Sequence, residues 1–161
     1  DNNESIERKI ELPRPMLTSG DFNFSYSGLK TAVLYLIRDI KKENGKEEID
    51  VKTKRVIARA FEDAALDVVI KKTLRAATEY KVKSIIVGGG VAANRRLREL
   101  LTSEAGKKLP SCKVLFPERE LSTDNSLMIA MAGYFTYLKN NKRGTDYKKL
   151  KATGNLKIEQ K

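Results

Sequence analysis

Apolar and polar positions change period several times along this chain, and each change marks an element. Leu29, Ala32, Val33, Leu36, Ile37 and Ile40 recur at helical spacing, which predicts an amphipathic helix from a Ser27 N-cap to about Lys42. The polar stretch Glu43–Glu48, with Asn44-Gly45, ends it. A longer helix is expected from about Val51 to Tyr80. It holds no Gly or Pro, and Ile57, Phe61, Ala64, Ala65 and Val68 would line its buried side. The period then shortens. Val82–Val87 is a β-branched apolar run that reads as a buried strand closed by Gly88-Gly89-Gly90.

The rest alternates in the same way. A helix is expected from Ala92 to about Glu104, with Leu97, Leu100 and Leu101 inward and Gly106 and Pro110 stopping it. Cys112–Phe116 reads as a second strand. Thr123 would cap a last helix from Asp124 to about Leu138, with Leu127, Met128, Met131, Tyr134, Phe135 and Leu138 inward. At the other end, Pro13 and Pro15 keep the lead-in extended. Phe22–Tyr26 alternates aromatic and polar residues, a short strand signal. The expected division is an extended lead-in at 1–20, an α/β lobe at 21–139 and a basic tail at 140–161.

Strand, helix, strand, helix predicts a parallel βαβ unit. A right-handed crossover brings both strand C-termini to one edge, and open α/β sheets bind ligands at such an edge. The loops Gly88–Asn94 and Phe116–Thr123 both leave from it.

Composition narrows the chemistry. The chain has 161 residues, 40% of them hydrophobic and 33% charged, enough for one ordinary core. Lys and Arg outnumber Asp and Glu by 32 to 21, a net charge of +11, which suits contact with polyanions such as nucleic acid. There is one cysteine, Cys112, and no histidine. An intramolecular disulfide, a Cys/His zinc site and a histidine general base are therefore excluded within this chain. The polar start DNNESIERKIELP, the short apolar runs and the lone cysteine point to a cytoplasmic protein with no membrane span.

Three stretches can carry chemistry. A glycine run after a buried strand lets a ligand approach backbone, and free N–H groups at the next helix start favour an anion. Asn94, in that helix's first turn, can donate and accept hydrogen bonds. The same features also describe a tight turn with a helix-start asparagine. The spacing of Gly88, Gly90 and Ala93 only approximates GxGxxG, and the Walker lysine is absent. Asp124 would stand at a helix start on the ligand edge, where a carboxylate binds a divalent metal or simply complements the helix dipole. Phe24–Thr31 reads as an anion nest or as an ordinary N-cap with a flanking hydrophobic staple. No serine–base pair with a recognisable spacing supports nucleophilic hydrolysis, and no catalytic residue is assigned.

Taken together, FNFSYSGLKTAV, VGGGVAANRRLREL and LSTDNSLMIAMAGY, with LPRPM before them, resemble the C-terminal part of the tRNA threonylcarbamoyladenosine transferases. The resemblance runs from about Leu12 to Leu138. It implies an actin-like, sugar-kinase-like ATPase fold with a nucleotide cleft between two lobes. It also implies transfer of a threonylcarbamoyl group from threonylcarbamoyl-AMP to adenosine 37 of tRNAs that read codons starting with A. The resemblance places the backbones of Gly89 and Gly90 and the side chain of Asn94 against the nucleotide, and makes Asp124 a ligand of iron or zinc acting as a Lewis acid. A paralogue and an ATPase are the implied protein partners. The family's other metal ligands are a pair of histidines in an N-terminal lobe, and this chain has none. A C-terminal fragment or split subunit, inactive alone and binding metal weakly through one carboxylate, is therefore expected. The alternatives are another member of the same superfold, such as a sugar kinase, and a non-catalytic lobe that docks partner proteins.

Overall fold

A computed structural model describes residues 10–141 and residues 143, 144, 146 and 148. Most of the expected tail, and residues 1–9 of the lead-in, lie outside the described residues. The elements run α1 (Ser27–Asn44), α2 (Val51–Glu79), β1 (Ser84–Ile86), a 3-10 turn (Gly90–Ala93), α3 (Arg95–Lys108), β2 (Lys113–Leu115), a second 3-10 turn (Arg119–Leu121) and α4 (Ser126–Lys139).

The parallel unit forms as expected. Ser84, Ile85 and Ile86 pair with Lys113, Val114 and Leu115, and Val87 extends the ladder by donating to the Leu115 carbonyl at 2.9 Å. Period-two alternation aims Ile85 and Val114 at the helices. Ile86, 78% exposed, and Leu115 face away. The small sheet is thus covered on one face only among the described residues.

α2 organises the rest. Beyond Thr53 in its first turn, its buried side chains form two stripes: Ile57, Ala64, Val68 and Lys72, then Leu66, Ile70, Leu74 and Ala77. A step of two residues is about 200° around a helix, so the stripes lie on opposite faces. Leu66, Ile70 and Leu74 pack with Leu97, Leu101 and Ala105 of α3 and with the strands. Ala64 packs with Leu12 and Leu29 under α1. Sequence periodicity exposes the first stripe and misses the second. Phe61, expected inside, lies at the angle of the first stripe yet is 41% exposed, because two clefts beside α2 open onto it.

Several expectations are corrected. Phe22–Tyr26 is not a strand; its alternation reflects side chains that meet locally, such as Phe24 against Tyr26. Ser27 is the first residue of α1 and not its cap, and no side chain caps that end. Gly106 lies inside α3, which ends only at Lys108. Asn125, and not Thr123, caps α4, its Oδ1 accepting from the Met128 N–H at 2.8 Å. Asp124 therefore precedes the helix instead of standing in its first turn. The α4 residues expected inward are all exposed.

Candidate functional site

The glycine loop leaves β1 at the edge where β2 also ends. Of its three glycines only Gly89 needs glycine for its backbone, at φ 83° and ψ 173°, a region that side chains strain to enter. A Cβ at Gly88, Gly89 or Gly90 would meet nothing within 4 Å. Open space along the backbone is what close approach by a ligand requires. The Ala92 N–H closes the turn on the Gly89 carbonyl at 2.9 Å.

Asn94 is the N-cap of α3, one position before the first turn. Its Oδ1 accepts from the Leu97 N–H at 2.8 Å. Its Nδ2 donates to Glu62 Oε1 on α2 at 2.9 Å. One amide hydrogen and one lone pair stay available. Asn94, Val91, Glu62, Tyr26, Arg55 and Arg59 line a cleft of about 690 Å³ between α2, the glycine loop and the start of α1. Burial there pushes the Tyr26 hydroxyl up. Another cleft, of about 620 Å³, lies between α1 and α2 over Val33, Ile37, Ile49 and Ile57 and touches none of the loop residues.

The second loop carries Asp124. It is exposed, and no group of three or more His, Cys, Asp or Glu that could hold a metal exists among the described residues. One carboxylate without companions does not fit a divalent ion, which needs several oxygen or nitrogen ligands.

The structure does bring the two loops together, through a residue that periodicity marks only as a polar position. Arg98 of α3 donates from Nε to the Ala92 carbonyl at 2.6 Å and from Nη2 to the Pro117 carbonyl at 2.6 Å. The same Nη2 reaches Ser122 Oγ at 3.2 Å, and the guanidinium lies 4.9 Å from the Phe116 ring centroid. Ser122 is itself buried.

The third stretch has a structural explanation. Ser25 and Ser27 share a hydroxyl hydrogen bond of 2.9 Å. A Cβ on Gly28 would lie 3.3 Å from Pro15 Cγ, so the glycine admits the lead-in against α1. Just upstream, buried Lys72 and half-buried Arg75 of α2 clamp the Ser19–Asn23 loop. Lys72 Nζ donates to Ser19 Oγ at 2.6 Å and to the Asn23 carbonyl, and it pairs with Asp21 at 3.3 Å. Arg75 donates to the Ser19 and Asp21 carbonyls. Hydrogen bonds from Ser19 and Asn23, and then from Lys72, hold the Asp21 carboxyl down at about 2. The sequence signal for this clamp is a lysine on an otherwise apolar helix stripe.

Comparison with known proteins bears on what such an edge does. A family profile described as tRNA N6-adenosine threonylcarbamoyltransferase matches residues 1–131. The chain belongs to this family. It is 49% identical to the Ralstonia pickettii protein of that name over 124 residues, 77% of this chain and 35% of the relative. It is 43% identical to the Thermosipho africanus protein over 152 residues, 94% of this chain and 42% of the relative. A Thiobacillus denitrificans relative is 49% identical over 125 residues, 78% of this chain and 33% of the relative. The chain therefore spans well under half the length of these relatives. No helix among the described residues is long and apolar enough to cross a membrane.

Proposed function

We propose that this chain supplies one wall of the nucleotide site of a tRNA N6-adenosine threonylcarbamoyltransferase. The wall would lie within an actin-like, sugar-kinase-like fold. The observation that carries the reading is the shared edge: an open glycine loop and the Asp124 loop leave the C-terminal ends of two parallel strands and are tied together there. The Gly89 and Gly90 backbones would face an adenylate, and Asn94 would offer its spare amide hydrogen. The substrate class is threonylcarbamoyl-AMP. The exocyclic amine of a tRNA adenosine attacks the carbamoyl carbonyl. A C–N bond forms, the C–O bond to the phosphate breaks, AMP leaves and the amine loses a proton. This chain's part is to bind and orient the adenylate that becomes the leaving group. The net charge of +11 suits the phosphates of tRNA, whose binding should weaken steeply with salt.

Isothermal titration with AMP tests the reading. Binding that falls at least tenfold in Asn94→Ala supports it. The absence of heat at millimolar AMP, or a variant that binds as the wild type does, overturns it. The alternative, a non-catalytic docking lobe, draws on α4, whose Leu127, Ile129, Met131, Tyr134 and Phe135 are all exposed. Exposed apolar surface of this kind marks a protein interface. The two readings are compatible, because the relatives contain more chain to cover it.

A further inference from the structure

Arg98 is the one side chain among the described residues that hydrogen-bonds to both loops at the strand ends. Its planar fork reaches Ala92 on one side at 2.6 Å and Pro117 and Ser122 on the other at 2.6 and 3.2 Å. Its flat face rests on Phe116, 4.9 Å from the ring centroid. Ser122 Oγ in turn lies 3.2 Å from the Glu118 carbonyl, which closes the second loop on itself. Asp124 follows two residues after Ser122, and Asn94 two residues after Ala92. A carbonyl-to-carbonyl bridge by one rigid guanidinium fixes the offset between these segments, and a lysine, with a single flexible ammonium, cannot reproduce it.

We infer that Arg98 is a positioning residue that locks the glycine loop and the Ser122–Asn125 loop into one unit. An adenylate seated on Gly89–Gly90 would thereby set where the second loop stands relative to the transferring group. This role rests on the nucleotide reading above, and Arg98 exercises it through the two loops it bridges. The alternative is that Arg98 only packs on Phe116, so that the loops move independently.

Amide hydrogen exchange on the protein, with and without AMP, separates the cases. In the wild type AMP is expected to slow exchange in both Gly89–Asn94 and Ser122–Asn125. In Arg98→Lys the first response should persist while the second falls at least threefold. Unchanged responses in both segments overturn the inference. If AMP moves neither segment of the wild type, the nucleotide reading has failed and the ligand-free protein judges Arg98. There, Arg98→Lys should raise exchange about tenfold in both segments while α1 stays unchanged. No rise, or a rise in one segment only, overturns the tie. Should Arg98→Lys loosen the whole protein, Ser122→Ala replaces it in both arms. That variant removes one anchor and should cut the second loop's response to AMP, or raise its ligand-free exchange, at least twofold. An unchanged second loop overturns the inference.

Discussion

Asn94 holds two structural bonds and is proposed to make a third to a ligand, so its substitutions can be ranked in advance. Aspartate caps helices as well as asparagine does, so Asn94→Asp keeps the bond to the Leu97 N–H. It loses the donor to Glu62 and sets two carboxylates where 2.9 Å now separates amide from carboxylate. A hydrogen bond to a charged group is worth about 1.5–3 kcal/mol, and the half-exposed setting favours the lower end, about 1.5. If the carboxylates relax to about 5 Å, their repulsion is about 0.8 kcal/mol at the dielectric of water and about 3 at an effective value of 20. The sum is about 2–5 kcal/mol at pH 7. Asn94→Ser keeps a cap and adds no charge, so it should cost about 1.5 kcal/mol. The difference between the two variants is the repulsion alone. Crowded like charges raise a carboxyl's pKa in the folded state above its unfolded value near 4. The penalty is then full above the folded value, shrinks as the pH falls through it, and is gone only below the unfolded value. Urea unfolding of both variants at pH 7 and at about pH 3, below the unfolded value, reads this difference directly. Equal stabilities at pH 7, or a gap that survives undiminished at about pH 3, would refute the Glu62 link and with it the stated geometry of the site.

Other outcomes follow from the same residues. Gly89→Ala should lower stability by about 1–3 kcal/mol through backbone strain alone, because open space surrounds it. Gly88→Ala and Gly90→Ala, free of that strain, should leave the melting temperature unchanged or slightly raised. The Asp21 carboxyl is held at about 2, below its ordinary value of 3.8. Its contribution to holding the Ser19–Asn23 loop on Lys72 is therefore complete above the ordinary value and is lost as pH falls through about 2. Phe22, 5.9 Å from the Tyr80 ring, should report that release by NMR, and Asp21→Asn should abolish the acid step. Iron(II) or zinc(II) should bind this chain no tighter in the wild type than in Asp124→Ala. A micromolar affinity lost in the variant would contradict the ligand count.

The sequence made the parallel unit, the long α2 and the glycine loop legible because each rests on local pattern: a β-branched run, an absence of helix breakers, a cluster of glycines. It did not show Arg98, Glu62 or the Lys72 clamp. Those residues act across elements separated by long stretches of chain, and periodicity reports only which face a residue occupies. Lys72 sits on a buried α2 stripe yet pairs with Asp21, 51 residues earlier. Nothing in local spacing pairs them. Capping was misread for a different reason. Thr123, Asp124, Asn125 and Ser126 are all good caps, so composition narrows the α4 start to four residues and only the backbone chooses Asn125.

α4 shows the limit of pattern most clearly, and it bears on function. Leu127, Met128, Met131, Tyr134, Phe135 and Leu138 form a plausible inward stripe, but Ile129 and Tyr137 fall outside it and are apolar too. A helix that is apolar all round is one that a larger protein buries. Here every one of these residues is exposed, and α4 belongs to neither core cluster. The uncovered face of the sheet, at Ile86 and Leu115, makes the same demand, since parallel sheets are ordinarily covered on both sides. Both surfaces lie beyond the cores that α2 organises, and the relatives are more than twice as long as the stretch they share with this chain. The glycine loop proposed to face an adenylate is therefore built on the core that α2 organises, whereas the neighbouring apolar surfaces lie outside both core clusters.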